Sequence, residues 1–212
     1  MPSITNILSH RSRLMPALAA VISAIAIAPA AAPASTTWFG SSLNHAPANA
    51  GSTCSDDGVG NPGDRCKQVG SFYPGFSGRA QSPRNGTITA LKLRPQGPMT
   101  FVAKVVKVRR LSANHHSGQA EAIVSSRQIT VPGPTQDQMD NGDYPIVKAS
   151  VHLKVQKGQE LAIDTTSNTA EYCSDGTPGQ LLFDPILRVG HGFHGSHGVD
   201  DCMILIQAVV KH

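Results

Sequence analysis

Three histidines stand in the octapeptide HGFHGSHG, residues 191–198, at positions 191, 194 and 197. Imidazole nitrogen binds zinc and copper, and the intervening glycines free the backbone to bring i, i+3 and i+6 together. Asp200 and Asp201 follow closely enough to add carboxylate oxygen. Fixing eight mobile residues costs about 1–2 kcal/mol each for the backbone alone, which opposes a tight preformed site. His191, His194 and His197 are thus the candidate Zn or Cu ligands, with a solvated Gly/His loop as the preferred account. The adjacent His115 and His116 point apart in an extended chain, and His152 lies on the wet side of a strand.

Two oxygen-rich turns raise calcium. Asp137, Asp140, Asn141 and Asp143 form one; Asp56, Asp57, Asn61 and Asp64 form the other. Neither follows the spacing of a calcium loop, and Asp and Asn serve turns directly through side chain–backbone bonds. The hydrolase signatures G-x-S-x-G, H-E-x-x-H and S-x-x-K are absent. A carbohydrate-active enzyme needs two facing carboxylates, for which Glu121, Glu160, Glu171 and scattered aspartates are available. A carbohydrate-binding module needs exposed rings instead. Trp38, Tyr73 and Phe76 are the candidate platform residues, with Phe72 beside them in the Gly/Pro segment FYPGF. The competing expectation is that these rings plug the fold, since large apolar groups gain most from burial.

These residues must be positioned by a scaffold, and composition indicates which kind. Arg11 and Arg13, the apolar stretch 14–28 and the Ala32-Pro33-Ala34 exit make residues 1–34 a secretory signal peptide, with 35–212 as one domain. The alternative, a membrane anchor, needs about 20 apolar residues, and Pro16, Pro29 and Pro33 interrupt the run. No later stretch is apolar enough to span a bilayer. Without Arg11 and Arg13, sixteen Lys+Arg face fourteen Asp+Glu, and no basic stripe with interleaved aromatics points to nucleic acid. Lys104, Lys107, Arg109 and Arg110 read as a solvated strand face. Cys54, Cys66, Cys173 and Cys202 all follow the signal, so two disulfides are expected outside the cell; of the three possible pairings, Cys54–Cys66 with Cys173–Cys202 is preferred because each bridge would close a Gly/Asp-rich loop. Zinc is disfavoured for them because neither pair has C-x2-4-C spacing.

Strand patterns dominate the rest. TTWFGSSL (36–43), TITALKLR (87–94) and MTFVAKVVKVRRL (99–111) are extended, the last with a bulge where its period slips at Val105 and Val106. AIVSSRQITV (122–131) follows. Val147 to Val155 alternates strictly, with Lys148, Ser150, His152 and Lys154 on the wet face. Lys157-Gly158 predicts a hairpin into ELAIDTT (160–166). LLFDPILRV (181–189) is predicted as an edge strand around Pro185, and MILIQAVVK (203–211) as a central one. The expectation is an all-β chain, an antiparallel β-sandwich of jelly-roll type with two disulfides.

TTWFGSSL, the early cysteine pair, GRAQSPRNGTITALKLR, KVQKGQELAIDTT and the closing ILIQAVV, taken in order, resemble a group of uncharacterised secreted bacterial β-sandwich domains. The likeness rests on turns and buried strands, here Gly40, Gly158 and the strand 161–163. It implies fold and compartment, and no activity. It also implies a bacterial source, in which Asn85-Gly86-Thr87 is a tight turn rather than a glycosylation site. The functional expectation is a secreted, non-enzymatic binding or structural module whose partner is an extracellular glycan or cell-envelope component. The alternative is a carbohydrate-binding module or a carbohydrate-active enzyme using a carboxylate pair.

Overall fold

The computed structural model describes residues 35–48, 66–70, 78–109, 112, 117–165, 170–173, 180–200 and 202–212. Residues Ala34–His212 form one compact unit. In chain order the described elements are β1 (Thr36–Ser41), β2 (Cys66–Gly70), β3 (Gly78–Arg79), β4 (Gly86–Leu93), β5 (Met99–Arg109) and β6 (Gln119–Val131). The helix α1 (Gln136–Asp140) and the strands β7 (Val147–Val155), β8 (Glu160–Thr165), β9 (Glu171–Cys173) and β10 (Gln180–Phe183) follow. Last come β11 (His194–Gly195), β12 (Gly198–Asp200), β13 (Cys202–Ile204) and β14 (Ile206–Lys211). The chain is thus nearly all-β, and the ladders between these strands are antiparallel.

One sheet has the order β3-β1-β14-β4-β7, a second β11-β6-β5-β8-β2-β10-β12, and β13 pairs with β9 alone. The main core takes Phe39, Ile88, Leu91, Leu93 and Leu153 from the first sheet and Phe101, Val105, Leu161 and Ile163 from the second. β7 alternates as its period requires, with Ala149, Leu153 and Val155 buried and Lys148, Ser150, His152 and Lys154 exposed. β5 carries the expected irregularity between Val105 and Val106.

Four local expectations are corrected. β7 and β8 do not form a hairpin: β7 pairs with β4, whereas β8 lies between β5 and β2. All six β8 residues are buried, so that strand needs a core on each face and a partner on each edge. The turn at Lys157-Gly158 therefore crosses between sheets, held where Gly158 N–H donates to Ser82 O (2.9 Å) and Ser82 N–H to Gln159 O (2.8 Å). The late strand stops at Phe183, before Pro185, whose nitrogen has no hydrogen to donate to a ladder. The closing run is split at Leu205, with Cys202–Ile204 against β9 and only Ile206–Lys211 central, between β1 and β4. The first strand ends at Ser41.

The seven-stranded sheet curls into a half-barrel. Its second face holds Val106, Ala120, Ala122, Ala162, Leu181, Phe183 and Leu187, so β6 and β10, with three strands between them, contribute to one cluster. Alanine at 120, 122 and 162 leaves room for that curvature. The histidine octapeptide closes the gap between the two margins. His194 and Gly195 pair with β6 at one margin, and Gly198 to Asp200 pair with β10 at the other. Between them Ser196 N–H donates to Gly118 O (2.8 Å) and His197 N–H donates to Leu182 O (2.8 Å). The segment is a strap made with main-chain bonds.

Candidate functional site

The outward face of the five-stranded sheet carries Arg79, Lys92, Lys148, Lys154 and Lys211, and no Asp or Glu occurs anywhere in its five strands. The strand registers arrange these cations in two rows across the sheet. One row runs Arg79, Gly40, Gln207, Lys92, Lys148. The other runs Thr36, Lys211, Thr87, Lys154. Between them lies a neutral row of Trp38, Val209, Ala90 and Ser150. Same-face residues repeat at about 6.6–6.8 Å along a strand, so the cationic rows stand about 13 Å apart on β1 and β14 and diverge to about 20 Å on β7, where Ser150 and His152 separate Lys148 from Lys154.

The electrostatics of this face are unbalanced. Lys92 and Lys148 sit directly opposite one another, a cross-strand arrangement that is unfavourable for like charges. Among the described residues Lys154 Nζ donates only to the Thr87 hydroxyl, at 3.2 Å. Among the described residues the one ion pair is Lys104–Asp164, inside the half-barrel and not on this face. Trp38 is 38% exposed, and the Arg79 guanidinium lies 5.7 Å from its ring centroid. Gly40, at φ +103°, is forced by close approach: a Cβ there would stand 2.4 Å from Ile206 O. Glycine thus keeps β1 against β14 and keeps the row flat between Arg79 and Gln207.

At its β7 margin the neutral track opens into a groove of about 390 Å³ between β6 and β7. Ser150 and His152 form one rim; Ser125 and Arg127 form the other. Ile129 and Val151, both packed against the main core, lie between. Among the described residues neither the Arg127 nor the His152 side chain has a hydrogen-bond or ion-pair partner.

The remaining expected site residues are dispersed. Of the ring platform, only Trp38 is described; Tyr73 and Phe76 lie outside the described residues, as does Phe72. His191, His194 and His197 are all exposed. His191 and His194 border a concavity of about 290 Å³ together with Arg188, whose positive charge opposes a cation there. Among the described residues no cluster of three ligand atoms includes a histidine. Glu171, Cys173 and Cys202 do cluster, but the two sulfurs are joined as a disulfide and offer no thiolate. Cys54 and the acidic turn 56–64 lie outside the described residues. The other acidic turn is the helix α1, capped reciprocally by Thr135 and Gln138, with Asn141 Nδ2 donating to Asp137 O and Gln136 to Asp140 Oδ1.

Lys104 does not belong to a solvated face. It is buried on the half-barrel side of β5, where Nζ donates to Leu187 O (2.6 Å) and stands 3.7 Å from Asp164 Oδ2. Lys107 and Arg109 are exposed, and the Arg109 guanidinium covers the Phe193 ring at 3.6 Å. Arg110 lies outside the described residues. Glu160 shares the Asp164 side of β8 and is buried, accepting from Gln81 Nε2 at 3.3 Å. Burial raises its carboxyl from 4.5 to about 7, against the lowering effect of the Gln81 bond.

Composition hid the basic face. Its cations come from four strands separated by up to 132 positions, so no sequence window holds more than two of them close together; the wet side of β7 was the one visible part. No known protein family, characterised protein or solved structure matches the chain.

Proposed function

We propose that this chain is an exported, non-enzymatic binding module that holds an acidic glycan of the cell envelope or extracellular matrix on the five-stranded face. The observation that carries this is the pairing of Lys92 with Lys148 in a sheet whose five strands carry five cations and no Asp or Glu. Like charges held side by side are relieved by a polyanion, and the exposed Trp38 offers a sugar a flat apolar surface between the cationic rows. The two sheets packed about a shared core read as a sandwich with its second sheet curled. Export rests on residues 1–34 and on a disulfide that suits an oxidising compartment. Among the described residues no helix is long and apolar enough to cross a membrane.

A carboxylate-pair enzyme is less well supported. Glu160 and Asp164 share one side of β8 but lie four residues apart, about 13 Å along a strand, beyond the ~5–10 Å of a glycosidase pair.

The test is affinity electrophoresis of residues 35–212 in gels containing polygalacturonate, heparin or neutral dextran. Retardation is expected with the acidic polymers only, weakening as salt rises. K92Q/K148Q is expected to lower affinity about tenfold, equivalent to ~1.4 kcal/mol, and W38A by a similar factor. No retardation in either acidic gel would remove the reading.

A further inference from the structure

We infer that the β6–β7 groove is the specificity subsite of this face, taking the carboxylate or sulfate of one acidic sugar while the rest of the glycan follows the neutral track. The inference rests on the acidic-glycan reading above.

The track and the groove are continuous, because Ser150 ends the row Trp38–Val209–Ala90–Ser150 and also lines the groove. The chemistry changes at that point. Along the track the cations stand in flanking rows, whereas Arg127 from β6 and His152 from β7 both line the groove, a concavity of about 390 Å³. No carboxylate lines it, and neither side chain is engaged elsewhere among the described residues. A guanidinium presents paired N–H donors that match the two oxygens of a carboxylate or sulfate, which a lysine ammonium cannot do. The Ser125 and Ser150 hydroxyls are placed for sugar hydroxyls, and Val151 and Ile129 for the apolar face of a ring. Ser126 is already committed, since its hydroxyl accepts from Ala103 N–H (2.9 Å) and donates to Arg127 O (2.6 Å). Those bonds fix the β6 backbone at the irregularity opposite Ala103 and so fix the base of Arg127.

An extended peptide added as a strand is the competing occupant, because β7 and much of β6 present edges without a partner strand among the described residues. The spacing opposes it. Along part of their length β6 and β7 come within 8 Å at Cα, less than the about 9.6 Å that an inserted strand needs between its neighbours.

The experiment is calorimetric titration of residues 35–212, wild type, R127Q/H152Q and K92Q/K148Q. The probes are a galacturonate hexamer, its methyl ester, a heparin-derived hexasaccharide and a glutamate hexapeptide. Wild type is expected to bind at least one acidic hexasaccharide and to bind the methyl ester at least tenfold more weakly than the free acid. R127Q/H152Q should weaken the bound acidic hexasaccharide about tenfold with its melting temperature unchanged. K92Q/K148Q should weaken it too. If R127Q/H152Q binds like wild type while K92Q/K148Q does not, the subsite is refuted and the basic face stands. Binding of the glutamate hexapeptide as tight as the hexasaccharide, lost equally in R127Q/H152Q, also refutes it. A wild type that binds none of the probes overturns the acidic-glycan reading and the subsite with it.

Discussion

Glu160 shows how much a single buried group can shift the balance of this fold. Its carboxyl sits at the start of an entirely buried strand with one hydrogen bond, from Gln81, and titrates near 7 instead of 4.5. Between those values the folded chain keeps a proton that the unfolded chain has released. Stability is therefore full below about 4.5 and falls as pH rises toward about 7, by about 3 kcal/mol across the window. Glu160→Gln keeps the shape and cannot ionise, so it is expected to flatten that dependence and to be the more stable form at pH 8. Urea denaturation of both proteins between pH 4 and 8 checks this, and parallel curves would mean that Glu160 is solvated. Lys104 teaches a related lesson. Its neighbours Lys107 and Arg109 are exposed as a basic run suggests, yet it points to the other side of the sheet and is held by Asp164 and Leu187 O. Sequence marks the charge but not which side of a curled sheet it meets.

At the scale of elements, strands with a local signature were legible and their partners were not. The strict alternation of Val147 to Val155 and the slip at Val105 and Val106 both appear where the residues place them. The turn at Lys157-Gly158 is also present, with Gly158 at φ +83°, but it joins different sheets. A tight turn constrains two or three residues, whereas pairing depends on which strands can cover both faces of β8. The octapeptide 191–198 follows the same logic. Its histidines suggested chemistry, but its main chain closes the half-barrel and its side chains are largely exposed. Replacing His191, His194 and His197 together with alanine is expected to leave stability within about 0.5 kcal/mol. Ser196→Ala is expected to cost about 1 kcal/mol, because it removes the hydroxyl that accepts from Gly118 N–H at 3.1 Å. Chemical denaturation of the two variants distinguishes strap from ligand set: a triple variant that loses more than Ser196→Ala would show that the imidazoles hold the structure.

For the molecule as a whole, the Cys173–Cys202 bridge ties β9 to β13 across a separation of 29 residues. A loop of that length contributes about 3.5 kcal/mol on the chain-entropy estimate. C173A/C202A is therefore expected to lower the unfolding free energy by that amount while the basic face still retains acidic polymer, as measured on one protein by urea denaturation and affinity electrophoresis. Loss of retention in a variant that remains folded would tie the face to the bridge.

By itself the sequence determined the all-β class, the position of most of the longer strands, an even cysteine count that calls for disulfides, and the wet side of β7. These follow from short-range rules: period two, turn residues, and cysteine count. Only the tertiary structure decided that β7 and β8 part company, that the histidine segment is a strap, and that Arg79, Lys92, Lys148, Lys154 and Lys211 share one face with Trp38. The physical reason is that charge density on a sheet is set by lateral register. Strands far apart in the chain meet at about 4.8 Å, and that spacing is chosen by how the buried faces pack.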